Sequence, residues 1–293
     1  MFYLIGAVLI WASAFIAAKF SYTMFDPALT VMLRLILSAL LVLPTFFRSY
    51  RKIPKQYRLQ LWGLGLLNFP VVLLLQFTGV HYTSVASAVT MLGTEPLVVT
   101  LLGHIFFHKP ARLLDWLLGI VALTGIVFVV YGSESGGEVT LLGCTLVLLG
   151  SIAFSFSIHL AQSVMKAVEA KAYTDVIIMT GAISCVPFSL LLIQDWQIHL
   201  NIEGISAILY LSVGCTWLAY RLWSKGLRVS SANTASILTT LEPVFGVLLA
   251  ILLLGEHLTL TTLFGICLVI SAAGISVLSS MLINYIKNKV TIL

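Results

Sequence analysis

The chain has 293 residues, of which 60% are hydrophobic and 9% charged, with a formal net charge of +5 and a mean hydropathy of +1.07. A water-soluble domain of this length needs about a quarter of its residues charged to cover its surface, so most of this surface faces lipid. The excess positive charge sits in short segments between apolar runs, where it reads as membrane orientation and not as nucleic-acid binding.

Apolar runs of about 20 residues, enough to cross a hydrocarbon layer of about 30 Å, recur along the chain. Ten are expected, over 2–20, 27–47, 59–78, 84–107, 113–131, 140–163, 174–193, 204–224, 230–254 and 260–283. The first lacks a preceding positive charge, because Lys19 follows its apolar stretch, so it reads as a retained helix and not a cleaved signal. Lys19 itself can snorkel to the nearer interface. With ten spans, 14 of the 16 lysines and arginines fall on the side of the loops after spans 2, 4, 6 and 8 and of the tail, counting Arg221 in the last turn of span 8, leaving only Lys19 and Arg34 elsewhere. One miscounted span would scramble this parity. It therefore predicts both the count and cytoplasmic termini. The acidic residues Glu134, Glu138, Asp195 and Glu203 fall on the other side. Trp62, Trp116, Trp223 and Trp196 fall near the expected interfaces, whereas Trp11 and Trp217 lie within spans. Cys144, Cys185, Cys215 and Cys267 lie singly in apolar segments without metal or redox spacing and read as core residues.

A shift of 147 residues superimposes Gly79 on Gly226, Ser84 on Ser231, Ala88 on Ala235, Glu95 on Glu242 and Pro96 on Pro243 without a gap. Five spans, an odd number, separate the two copies, so they cross in opposite directions. This predicts an all-α membrane protein of ten transmembrane helices built as two inverted five-helix repeats, 1–133 and 139–283, with 284–293 as a cytoplasmic tail. In transporters this architecture places the binding site near the midplane between the halves. Ser84 with Ala88 and Ser231 with Ala235 are small pairs four apart that suit close helix packing.

The chain resembles the ten-helix EamA-type family of the drug/metabolite transporter superfamily. The resemblance spans essentially its whole length. It rests on Ile10-Trp11-Ala12-Ser13-Ala14-Phe15 with Lys19, on Asp26-Pro27 leading to Arg34-Leu35, on the segments ending Thr94-Glu95-Pro96 and Leu241-Glu242-Pro243, and on Leu254-Gly255-Glu256-His257-Leu258. The place matching the last motif in the first half reads Phe107-His108-Lys109-Pro110 and departs from the pattern. The resemblance implies secondary transport of a small metabolite, an amino acid or a drug-like amphiphile by alternating access. Compactness alone makes a bacterial inner membrane the expected location, and no cofactor and no nucleic-acid partner are expected.

A charged group at the bilayer centre costs about 2.5–3.5 kcal/mol on insertion scales, so it normally faces a cavity or a partner. Glu95 and Glu242 each precede a proline, Pro96 or Pro243, which lacks an N–H and kinks the helix. They read either as binders of a cationic group or a coupling proton, or as neutral acids bonded to a neighbouring helix. Arg34, with Thr30 and Ser38 four residues to either side, presents a polar stripe that meets an anionic substrate group or pairs with an acid such as Glu95. Ser151, Ser155, His159 and Gln162 give helix 6 a polar face, read as cavity lining, although serines also serve in packing. Asn68, Gln76, Trp217, Tyr220 and Asn233 are further candidates to line the site, and Trp11 offers a stacking or cation–π surface. There is no Gly-Lys dipeptide, hence no Walker A loop, and no H-E-x-x-H, G-x-S-x-G or metal-ligand cluster, so nucleotide drive and enzyme chemistry are not expected. The alternatives to a transporter are a membrane-embedded enzyme acting on lipid and a non-transporting accessory protein.

Overall fold

The computed structural model describes residues 2–109, 111–133, 140–230, 235 and 238–290. Ten apolar helical segments follow one another: α1 Phe2–Ser21, α2 Pro27–Arg51, α3 Lys55–His81, α4 Val85–Phe107, α6 Leu141–Met165, α7 Ala170–Leu192 and α8 Ile202–Val229, with α5 Leu113–Ser133, α9 Leu241–Leu254 and α10 Leu260–Val290. The first eight are long and apolar enough to span a membrane. This is an integral, multi-pass, all-α membrane protein. Helix α10 runs on through 284–290, a stretch expected to be a tail, and Glu134, Glu138, Ser231 and Asn233 lie outside the described residues.

Contacts between loops show that the helices cross in alternating directions. At one end, which carries the lysine- and arginine-rich loops and is called here the basic end, Lys52 Nζ meets Glu169 Oε2 at 3.3 Å, the Gln162 amide donates to Ser230 O, and Arg112 bonds Asp115 and Ser279. At the opposite end Thr140 N donates to Tyr82 O, His199 N to Met24 O, and the Thr259 hydroxyl to Gly132 O.

The bundle closes through pairs of helices packed along their length: α5 with α10, α2 with α7, α3 with α6, α1 with α8 and α4 with α9. Glycine sets the closest approach where α5 crosses α10. A Cβ on Gly125 would lie 2.8 Å from Gly265 O, and one on Gly265 2.5 Å from Gly125 O, so backbones touch there as in other small-residue membrane contacts.

Two helices carry a wider turn. In α3, over Leu67–Val71, the Val72 N–H bonds Leu67 O five residues back. In α8, within Leu211–Leu218, the Ala219 N–H bonds Gly214 O in the same fashion. Each such π turn inserts a residue into the ladder and rotates the following side chains, a device common at functional sites. The two bonds are 147 residues apart, the offset read in the sequence.

The Glu-Pro helices are discontinuous. In α4 the regular ladder stops at Leu92, turns through Gly93 and Thr94, and restarts at Glu95; in α9 a turn at Thr240 precedes the helix from Leu241. Pro96 and Pro243 therefore sit in the first turn of a fresh helical segment, where a missing N–H is harmless, and not in the middle of a kinked one.

Candidate functional site

A cavity lies where α1, α2, α3, α4, α6, α8 and α9 converge. Its aromatic and apolar wall includes Trp11, Phe15, Phe77, Phe154 and Tyr220, and its polar wall is Arg34, Gln76, Glu95 and Glu242. The space open to a water-sized sphere is about 50 Å³, room for a few waters. An organic ligand of ordinary size needs about 300 Å³ or more, so binding one requires the helices to part.

The sequence in these segments explains the placement. The turn at Gly93-Thr94 aims Glu95 inward from the start of a helical segment, and Thr239, just before the turn that opens α9, hydrogen-bonds the Glu95 carboxyl. Glu95 Oε2 has no protein partner. Glu242 lines the same cavity from the equivalent position on α9, 8% exposed, close enough to Glu95 that the two carboxyls interact. Arg34, 2% exposed, donates from Nε to the Thr216 hydroxyl, stacks its guanidinium 5.0 Å from the Phe77 ring centroid, and leaves Nη1 without a hydrogen-bond partner. No ion pair between Arg34 and an acid is formed among the described residues. A buried arginine and two buried carboxyls thus share one small chamber, with unfilled bonding capacity on both signs of charge.

On the basic-end side the chamber is backed by rings. Trp11 packs on Phe154, Tyr220 and Trp223 with centroid separations of 5.8, 5.2 and 5.2 Å, and its indole N–H donates to Cys215 O at 2.9 Å. Trp223, expected at the interface, is only 4% exposed and forms the floor of this stack. Trp196 is 57% exposed.

The other expected site residues lie elsewhere. Asn68, in the α3 wide turn, donates to Leu64 O and accepts from Ser157 Oγ, tying α3 to α6. The polar face of α6 is not part of the cavity lining: Ser151 bonds Val147 O of its own helix, Ser155 Oγ is buried without a partner, and His159 Nε2 meets Val99 O of α4 at 2.8 Å while Nδ1 meets Lys109 Nζ at 3.3 Å. Burial, and secondarily the neighbouring Lys166, hold the Lys109 ammonium below the ordinary lysine value. Trp217 lies under the Arg221 guanidinium at 4.6 Å, outside the chamber. Asn233 is outside the described residues. Cys144, Cys185 and Cys215 are buried, but Cys267, on α10, is exposed and is not a core residue.

Two functional-looking groups were not among the residues expected from sequence. Thr216, fully buried, is the hydrogen-bond partner of Arg34. Asp175, fully buried, accepts from Thr45 and Ser49 at 2.8 and 2.7 Å and pairs with Arg221 at 2.9 Å. An acid at the mouth of an apolar run was a signal for the second; a lone threonine in α8 was no signal for the first.

A bundle of paired, interrupted helices around a buried chamber lined by an arginine and two carboxyls is the kind of architecture found in membrane transporters. The EamA-like transporter family profile matches residues 1–131 and again 141–278, and the chain belongs to that family. An uncharacterized transporter of Archaeoglobus fulgidus is 25% identical over 262 residues, covering 88% of this chain and 90% of that one. An uncharacterized transporter of Haemophilus influenzae is 44% identical over 142 residues, 47% of this chain and 84% of that one. A solved crystal structure, 16% identical, superimposes with a TM-score of 0.68 over 96% of this chain and 97% of the other, and shares its fold.

Proposed function

We propose that the protein is a secondary transporter that carries a small charged or zwitterionic metabolite by alternating access, through the chamber between Arg34 and the Glu95–Glu242 pair. The observation that supports this most directly is unfilled bonding capacity on both signs of charge, Arg34 Nη1 and Glu95 Oε2, at the same buried site. Burying such groups is expensive. A ligand that bonds them offsets that cost.

The two stretches matched by the family profile are read as the two repeats, the second inverted relative to the first, with the basic end on the cytoplasmic side. The small chamber fits a state in which the site is closed around little more than water. Rocking of one repeat on the other enlarges it toward one face at a time. One or both glutamates take up a cationic group of the cargo or a coupling proton. The energy source is read as a gradient or exchange, a reading supported by the sequence's lack of a Gly-Lys dipeptide for a nucleotide loop.

Counterflow in proteoliposomes against a pool of labelled metabolites tests this. Wild-type protein accumulates particular compounds, and Glu95→Gln and Glu242→Gln reduce that accumulation and its pH dependence. No exchange of any compound by wild type would sink the proposal, and unaltered exchange with unaltered pH dependence in both variants would remove the carboxyls from it.

A further inference from the structure

The environment of Arg34 is built with more care than burial alone requires. Its Nε hydrogen bonds Thr216, and the Thr216 hydroxyl donates in turn to Leu211 O at 2.9 Å, five residues back. In a regular α-helix a threonine hydroxyl returns to the carbonyl three or four residues earlier. The five-residue reach belongs to the π turn of α8. With its proton committed to Leu211, the Thr216 oxygen turns its lone pairs to Arg34 and accepts only. The Phe77 ring then fixes the plane of the guanidinium, the Arg34 side chain lines the chamber, and its Nη1 has no hydrogen-bond partner.

The corresponding contact in the other half shows what this position does when no ion is handled. At the 147-residue offset, Arg34 of α2 matches Gly181 of α7, and Thr216 of α8 matches Phe69 of α3. Those two residues also meet across their helices: a Cβ on Gly181 would overlap the Phe69 ring, 2.1 Å from Cδ2. Both pairs sit at a wide turn packed on a facing helix. One is a ring in a glycine notch, an inert filler. The other is an arginine with an orienting hydroxyl.

We propose that Thr216 is a positioning residue that aims Arg34 at the chamber as a dedicated oxyanion grip, so that the cargo bears a carboxylate or a similarly compact anionic group. This deepens the transport reading and rests on the same chamber. Arginine suits the role because its planar fork can bond Thr216 through Nε while offering its Nη edge to an anion. The anion class follows from the free Nη1 and the lack of an acidic partner for Arg34 among the described residues.

The test uses purified full-length protein and two shape-matched probes, benzoate and benzylamine, measured by isothermal titration calorimetry. Thr216→Val, which keeps shape and removes the acceptor, weakens benzoate binding about tenfold and leaves benzylamine within twofold. Thr216→Ser, which keeps the hydroxyl, restores benzoate binding; Arg34→Lys loses it. Thr216→Ala serves as a second deletion of the hydroxyl should the valine variant fail to elute as a monodisperse species. Absence of benzoate binding by wild type, equal weakening of both probes, or wild-type benzoate affinity in the valine and alanine variants would overturn the proposal. Benzoate binding that tracks Thr216 in a protein inert in counterflow would leave the grip standing and refute transport, so the two readings fail separately.

Discussion

His108 and Gly255 end α4 and α9 in the same left-handed backbone conformation, with φ of 52° and 66°, 147 residues apart. They are the positive-φ residues among those described. Glycine adopts this geometry freely, whereas a side chain there costs about 1–2 kcal/mol. His108→Gly relieves that strain, partly offset by the greater freedom of glycine in the unfolded chain. Its thermal midpoint in detergent should rise, by an amount corresponding to about 1 kcal/mol, and Gly255→His should lower it. A lower midpoint for His108→Gly would mean that the imidazole makes a compensating contact.

Glu256, one residue beyond Gly255, reaches across to the start of α4 and accepts from Val85 N and Ala86 N at 2.7 and 2.9 Å. A carboxylate at a helix N-terminus satisfies orphan amides and complements the helix dipole. Glu256→Ala leaves both amides unpaired and should lower stability by about 1–2 kcal/mol, with Glu256→Gln intermediate because the amide retains one acceptor oxygen. Unfolding in graded detergent mixtures reads both. A neutral effect in the alanine variant would show that water replaces the carboxylate.

The notch at Gly181 admits no side chain without displacing Phe69. Gly181→Ala should destabilise by about 1–3 kcal/mol through overpacking, and Phe69→Leu should relieve much of that loss. Comparing the two single variants with the double variant isolates the coupling. Additive effects would indicate that the helices simply move apart.

Asp175 ties α2, α7 and α8 together near the basic end through Thr45, Ser49 and Arg221. Asp175→Asn keeps one acceptor oxygen, which can serve both hydroxyls as Oδ2 does, but strands the Arg221 guanidinium. Breaking a fully buried pair costs about 3–5 kcal/mol. Arg221 is 25% exposed, so solvent takes up part of this and the loss should be about 2 kcal/mol. Replacing Arg221 as well, by methionine, should recover some of it. Denaturation of the two variants measures the difference.

The ten helices were legible because span length and loop charge are constraints of the bilayer itself: a run too short cannot cross, and a miscounted run scrambles the parity of 14 basic residues. Glu95, Glu242 and Arg34 were legible for the same reason, since charge within a span is rare. Periodicity carried less. It showed that Ser151, Ser155, His159 and Gln162 share a face of α6, but a polar face can meet a cavity or a polar neighbour, and here His159 meets the α4 backbone and Lys109. Thr216 left no trace because its role depends on the wide turn of α8, and nothing in Leu211–Leu218 spells out a five-residue hydrogen bond. The prolines pointed to interrupted helices, yet the interruptions fall one step earlier, at Gly93-Thr94 and Thr240, with proline opening the next segment.

The unlike pairs Arg34–Thr216 and Gly181–Phe69, which stand 147 residues apart, would give the two proposed repeats different chemistry at matching places. A carrier whose two halves were chemically identical would present the same affinity to solutions on either side. Under the proposed alternating-access cycle the guanidinium belongs to one repeat alone, and the expected outcome is that the half-saturation concentrations measured from the two faces differ. Detailed balance sets the limit: for exchange without a coupled ion, kcat/KM must be equal from both sides, so the face that binds more tightly must also turn over more slowly.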